Sequence, residues 1–522
     1  MILDLAGYTV DRRLADLVAL EPSAGDGAFL RSIVKRLVES CERHGIDLTE
    51  ASEAIQAFEI DSASAARAVD VVYATLVELG IEAAGALRLA QGWIKDRDFL
   101  EAALGFPIAD FVVGNPPYIR LEEIPAEKAQ FYRSSFKETM RGRADLYVAF
   151  YEAALIQLKP GGVCAYICAD RWLLNDYGSA LRNFITTKGF AVKFVIEMHD
   201  VDAFESEVDA YPAITVIARG TQGPVIVAKA LPGIEIAARD RVVNLITGGR
   251  SNPEVRASRF EEWFMGEEPW PCSSPERLRC LKELEARCRP LEDAATGTKV
   301  GIGVATGADD IFVIEGKPDI ESDRILPLAM AHDLEGGRVA WSGHYLVNPW
   351  DENGLVPIRE YPQMLNFLAP HRERLAGRHT AKKEARPDRW HKTIDRVTMS
   401  LLGRKKLFIA DIKDRLLPAF DPGKTYPHHN LYYIVSNQWD LSVLGGLLMS
   451  AVGEFFIHCY GVKMRGGYYR FQAQYLRRIR VPVPHKIPLA VANQLREAFE
   501  TQNVDLATKA ALKAYEIDQL PP

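Results

Sequence analysis

Residues 17–20 form a short apolar run that leads straight into EPSAGDGAFL at residues 21–30, which predicts a strand, a tight glycine turn and a helix starting near Ala28. The same hand-over recurs down the first half of the chain. A helix is predicted over 28–43, a strand over 54–60 that ends in FEID, a third strand over 87–90 followed by DFL at 98–100, and a fourth over 111–114. A helix over 145–158 stops at LKPGG, and a strand over 163–169 follows. Then come a helix over 178–186, a strand over 192–198 and an alternating strand over 211–218, expected at the sheet edge. Strands that alternate with helices require crossover connections, and so a mainly parallel sheet with helices on both faces. The expected fold class of this half is α/β, Rossmann-like and doubly wound.

In such a sheet, ligands sit in the crevice beyond the carboxyl ends of the strands. The unusual residues of the chain fall there. Gly25 and Gly27 leave the backbone free of any Cβ, so a ligand can approach closely. Glu59 ends the second strand, where a bidentate carboxylate suits two ribose hydroxyls, with Asp61 as the second choice. Asp98 follows the third strand and, taken alone, reads as an ordinary acid before a helix. The fourth strand runs into Asn115-Pro116-Pro117-Tyr118. Asn-Pro commonly starts a turn. Two adjacent prolines, however, donate nothing to a sheet ladder and fix their own φ, so the tetrapeptide is a rigid terminus bearing an amide, two carbonyls and an aromatic ring.

The chain has 522 residues, 48% hydrophobic and 25% charged, which fits a globular protein of two to four domains. No apolar run reaches the roughly 18 residues of a membrane-spanning helix, and residues 1–15 lack a signal-peptide pattern, so a cytoplasmic protein without a membrane segment is expected. The seven cysteines are scattered, with no paired CxxC and histidine spacing, which predicts reduced structural thiols and no metal site. The net charge of −7 hides a split. Residues 371–415 hold 14 Lys and Arg against 6 Asp and Glu, and residues 459–480 hold 6 Lys and Arg and no acid. A charge run is often only a solvated helix face. Here Trp390, His391, Tyr468, Tyr469, Phe471 and Tyr475 interleave with the cations, a pattern that favours nucleic acid. Arg404, Lys405, Lys406, Arg465, Arg470, Arg477 and Arg478 are the candidates in these runs. The segment 120–143 adds Lys128, Arg133, Lys137, Arg141 and Arg143, of which Arg141 and Arg143 are the DNA-binding candidates.

The ordered set EPSAGDGAFL, FEID, DFL, NPPY and LKPGG resembles the gamma-class, N6-adenine-specific DNA methyltransferases, close to the Taq-type modification enzymes. GIGVATGADDIFVI at 301–314, YPQMLNFLAPHRERLAGR at 361–378 and GGYYRFQAQYLRRIRVPVP at 466–484 resemble the target-recognition domain of that group, so the resemblance covers nearly the whole chain. It implies a methyltransferase sheet followed by a mixed α+β recognition domain. The implied limits are 1–235 for the catalytic domain, 236–290 for a bridging region, 291–485 for recognition and 486–522 for a C-terminal helix. It also implies S-adenosylmethionine as cofactor and double-stranded DNA as substrate. Glu21, Pro22, Ala24, Gly25 and Gly27 would line the methionine end; Glu59 would hold the ribose, with Ile60 against the adenine ring. Asp98 would accept from the cofactor's amino group, with Phe99 beside it. Asn115 and Pro116 would each accept a target amino N–H within the Asn115-Pro116-Pro117-Tyr118 motif. Tyr118 and Phe204 would sandwich the flipped base, with Tyr211 competing for the second position. One departure stands out. The family's Tyr-Thr-Pro segment is represented by Gly7-Tyr8-Thr9-Val10, close before Glu21, so a shortened wrap of the cofactor is expected.

Other readings stay open at this level. NPPY also occurs in methyltransferases acting on a protein glutamine, which lack a long basic half, and RNA is a further substrate class. A DNA-binding subunit with weak catalysis is the non-enzymatic alternative. No nuclease motif is evident, so methylation without cleavage, by a monomer whose cognate nuclease is a separate chain of a restriction or defence system, is the expectation.

Overall fold

The computed structural model describes residues 1–103, 108–142, 144–199, 201, 211–231, 239–378, 389–461 and 468–521. The chain divides into two compact units, Met1–Pro275 and Glu276–Pro522.

Among the described residues, the first unit is built on nine strands: β1 (Ala19–Glu21), β2 (Ile55–Glu59), β3 (Ile94–Asp96), β4 (Ala109–Gly114), β5 (Leu158–Ala169), β6 (Phe190–Glu197), β7 (Pro212–Arg219), β8 (Val225–Ala230) and β9 (Val255–Phe260). Their order is β3-β2-β1-β4-β5-β7-β6-β8-β9. The β3 to β5 half is parallel, and β7 runs antiparallel between β5 and β6. Chain direction across the sheet reverses between β1 and β4, so the carboxyl ends of those two strands flank the topological switch point, where doubly wound sheets open a crevice.

Helix formation follows from local chemistry. The helix Ala28–His44 buries Leu30, Ile33, Val34, Leu37, Val38 and Cys41, a stripe at three-to-four spacing, and ends on Gly45 in the left-handed region. Each of the Leu, Ile and Val side chains contributes about 1.5–3 kcal/mol on burial. The helix Ser62–Glu78 is capped by the Asp61 carboxylate, which accepts the Ser64 N–H at 2.9 Å.

Four expectations are corrected here. Residues 87–90 are helix, within Ala83–Trp93, and the third strand is Ile94–Asp96. Glu82 accepts the Ala84 and Gly85 amides, and Ala86, Leu89, Ala90 and Trp93 form one buried helical face. β7 is interior rather than at the edge, because β6, β8 and β9 lie beyond it. β9 falls in the stretch 236–290 expected to be a bridging region; its Arg256 and Arg259 mask a strand whose Val255, Ala257 and Phe260 are buried. The single C-terminal helix is two, Leu489–Glu500 and Val504–Ala514, broken where Gln502 takes φ 53 and Asn503 caps the second.

The second unit is mixed α and β. A six-stranded sheet contains Lys299–Ile302, Leu431–Val435, Lys406–Ala410 and Ala419–Asp421 as antiparallel neighbours, and a four-stranded sheet lies within the same unit. Among the described residues no single helix is long and apolar enough to cross a membrane.

Candidate active site at the strand ends

β1 ends at Glu21, and the next residues turn on two glycines in the left-handed region, Gly25 at φ 53 and Gly27 at φ 86. An added Cβ at Gly27 would lie 3.1 Å from Ala68 Cα, so the turn packs against the second helix as closely as backbone permits. The Ala24 amide donates to the Phe58 carbonyl at 2.9 Å, and Pro22 and Ala24 are buried beneath the turn.

Glu59 at the end of β2 reads this turn directly. One carboxylate oxygen accepts the Gly25 N–H at 2.8 Å and the other accepts the Asp61 N–H at 2.9 Å. An ionised carboxylate has about four acceptor directions, so two stay open. Asp61, the second choice, spends its carboxylate on capping the helix. Ile60 is 57% exposed next to Glu59, an apolar face open at the rim.

Glu21 is fully enclosed, and its Oε2 is buried without a hydrogen-bond partner among the described residues. Burial, and then the charge of nearby Glu59, push its carboxyl well above the usual range. An acid buried beside a second acid favours a cationic guest.

Asp98 caps the short helix Phe99–Ala102, accepting the Leu100 N–H at 2.9 Å. Phe99 is only 2% exposed and packs against Phe58 and Phe150 at ring separations of 5.5 and 5.8 Å.

β4 delivers Asn115-Pro116-Pro117-Tyr118 beside the glycine turn. An added Cβ at Gly114 would sit 3.5 Å from Pro22 Cδ and 3.7 Å from Glu21 Cγ. The Ser23 hydroxyl donates to the Asn115 carbonyl at 3.0 Å. The Asn115 side-chain oxygen is buried and has no donor among the described residues. Pro116 is buried, while Pro117 and Tyr118 are half-buried. The Tyr118 hydroxyl donates to the Ile167 carbonyl at 3.4 Å, its ring meets Tyr147 edge-on at 6.5 Å, and burial raises its pKa.

Beyond β5, the Asp170 amide donates to the Tyr211 carbonyl at 3.0 Å, and His199 Nε2 lies 2.6 Å from Asp170 Oδ2. Tyr211 is braced there, 5.3 Å from the His199 ring and 5.1 Å beneath the Arg171 guanidinium. Phe204 lies outside the described residues. Near the start of the chain, Tyr8 is 1% exposed with its ring edge-on to Phe111 at 5.3 Å, so it packs under β4.

The DNA-binding candidates divide. Arg141 and Lys405 are exposed. Arg404 donates to the Asn437 side chain at 2.7 Å, Arg470 lies 2.6 Å from Asp411, Arg477 lies 3.1 Å from Glu292, and Arg478 stands 5.8 Å over the Tyr460 ring. Lys406 is corrected: it is 0% exposed and lies 2.8 Å from Asp421, because the strand Lys406–Ala410 is buried on both faces. Arg143 and Arg465 lie outside the described residues.

A family model described as Eco57I restriction-modification methylase matches residues 88–204. The chain is 42% identical to the Type II methyltransferase M.XhoI of Xanthomonas vasicola over 528 aligned positions, covering 99% of this chain and 95% of that protein. It is 41% identical to the Type II methyltransferase M.PaeR7I of Pseudomonas aeruginosa, with 98% and 89% covered. Among solved structures, the Type IIL restriction-modification enzyme MmeI in complex with DNA superposes with a TM-score of 0.64 at 13% identity, over 99% of this chain and 72% of that one. At that identity the likeness concerns the fold.

Proposed function

Because the chain belongs to the Type II DNA methyltransferases of restriction-modification systems, we propose that it transfers the methyl group of S-adenosylmethionine to the exocyclic N6 amino group of an adenine swung out of double-stranded DNA. The observation that carries this reading is the Asn115 side-chain oxygen, buried and lacking a donor among the described residues at the end of β4. A buried acceptor without a partner costs about 1–3 kcal/mol, which a ligand N–H would recover.

The residues fit the cofactor. The enclosed Glu21 with its orphaned oxygen suits a group carrying positive charge. The two open directions of Glu59 suit paired ribose hydroxyls, exposed Ile60 suits one face of a purine, and Asp98 suits an amino donor. When bound, S-adenosylmethionine supplies an electrophilic methyl group on a sulfonium. The protein's part is positioning. Asn115 Oδ1 and the Pro116 carbonyl each accept one hydrogen of the target amino group, which draws its nitrogen toward tetrahedral geometry and aims the lone pair. Ser23 holds the Asn115 carbonyl, and the prolines hold the pair rigid, so the acceptors need no reorganisation. Tyr118 stacks on the base, which offsets part of the few kcal/mol needed to unstack it.

Modification-sensitive sequencing of DNA from cells expressing the protein tests the reading. N6-methyladenine at one recurrent site is expected. Methylated cytosine, or no modified base, would overturn it.

A further inference from the structure

Lys128, read from sequence as one cation of a basic segment, is drawn inward. It lies on the helix Ala126–Ser135, which follows the tetrapeptide in the chain. Its Nζ is 2.8 Å from Asp98 Oδ2, and the Tyr132 hydroxyl of the same helix donates to that oxygen at 2.6 Å. Asp98 is 8% and Tyr132 3% exposed. Burial, and then the bond to Asp98, raise the Tyr132 pKa, so the hydroxyl keeps its proton and stays a donor.

A carboxylate has about four acceptor directions, two on each oxygen. Tyr132 donates to Oδ2, the Lys128 ammonium is ion-paired with that same oxygen, and the Leu100 amide fills one direction on Oδ1. One direction is left on Oδ1. From this saturation we infer that Tyr132 and Lys128 are positioning residues that make Asp98 a single-acceptor gauge for a purine bearing a 6-amino group. By occupying Oδ2 they stop the carboxylate from rotating toward a second partner, and they leave a site that accepts one N–H and repels a carbonyl oxygen. The inference rests on the reading that Asp98 receives the cofactor's amino group, and it adds what enforces discrimination there. It also explains why the gauge is carried on the segment leaving the catalytic tetrapeptide: a helix fixed to Asp98 holds that segment in place.

The test is calorimetric titration of the full chain with S-adenosylhomocysteine and with S-inosylhomocysteine, in which a carbonyl replaces the 6-amino group. The wild type should prefer the amino form by about 10-fold or more, the range of one charge-assisted hydrogen bond. Tyr132→Phe and Lys128→Met should each weaken the amino form several-fold and leave the oxo form nearly unchanged, so the ratio collapses. Lys128→Arg should retain much of it. If the wild type discriminates and both loss variants discriminate equally well, or both variants weaken the two ligands alike, the inference is overturned while the reading of Asp98 stands. If the wild type binds both purines equally, the reading of Asp98 itself fails.

Discussion

The Ser23 hydroxyl donates to the Asn115 main-chain carbonyl at 3.0 Å, and so the glycine turn after β1 and the tetrapeptide after β4 are one hydrogen-bonded unit. Asn115 presents two separate oxygens: the carbonyl is tethered and the side-chain oxygen is left for a guest. Asn115→Ala should cut the single-turnover methylation rate by about 10²–10³, the usual loss for a preorganised polar contact, with S-adenosylmethionine affinity close to wild type. Ser23→Ala, which removes only the tether, should cost about 0.5–1.5 kcal/mol, so a rate loss of roughly two- to ten-fold. A Ser23→Ala variant slower than Asn115→Ala would contradict this division of labour.

Glu21 carries a conflict between stability and binding. Its carboxyl is held above the usual range by burial and by Glu59, so the stability it permits is present at low pH and lost as pH rises through the elevated value. Glu21→Gln escapes that loss. The ligand-free variant should exceed the wild type in stability near neutral pH, with the gap narrowing under acid. Its affinity for S-adenosylmethionine should fall at the same time. Urea unfolding at two pH values, with calorimetry for the ligand, reads both; a variant that is less stable at pH 8 would refute the account.

His199 predicts the opposite kind of profile from that of an ordinary buried histidine. Burial lowers its pKa, but the hydrogen bond and charge of Asp170 outweigh this, aided by Glu197 and opposed by Lys229, and the net shift is upward. The pair therefore stabilises the fold fully below the unfolded value of about 6.5, and the contribution fades as pH rises through the higher folded value. Wild type should exceed His199→Gln in denaturant stability at pH 6, and the margin should shrink by pH 9. A margin that widens with pH would exclude the pairing.

Lys405 and Lys406 are adjacent in sequence and should behave differently. Lys405 is exposed, so Lys405→Ala should weaken DNA binding and lower the slope of log affinity against log salt by about one. Lys406→Ala strands the buried Asp421 carboxylate and should cost about 3–5 kcal/mol of folding stability. Filter-binding titrations across salt, together with thermal unfolding of both variants, separate the two effects.

What the sequence made legible was chemistry written into a few consecutive residues. Glycines at positive φ, adjacent prolines and an acid closing a strand declare themselves locally, so Gly25, Glu59 and Asn115 are legible from a few residues, whereas Asp98, which alone reads as an ordinary acid before a helix, needed the family resemblance. The third strand was misplaced because the run at 87–90 satisfies both helical and strand periods; the deciding signals were the Glu82 cap upstream and Trp93 downstream. Tyr132 and Lys128 were out of reach for another reason: they meet Asp98 across some 30 residues of chain, and nothing local marks that contact. Lys406 was readable in principle, since KLFIA is a strand buried on both faces, and a lysine leading it needs an internal partner.

The partners of the basic residues bear on how such a protein would find its target. A cation already paired within the molecule contributes less counterion release on meeting a phosphate, and Lys406, Arg470 and Arg477 are paired with Asp421, Asp411 and Glu292. The electrostatic grip on arbitrary DNA would therefore be weaker than the count of arginines and lysines indicates. On the proposed function, sojourns at wrong sites would be correspondingly brief, and the search across a genome's excess of competing sites would be decided more by base contacts than by charge.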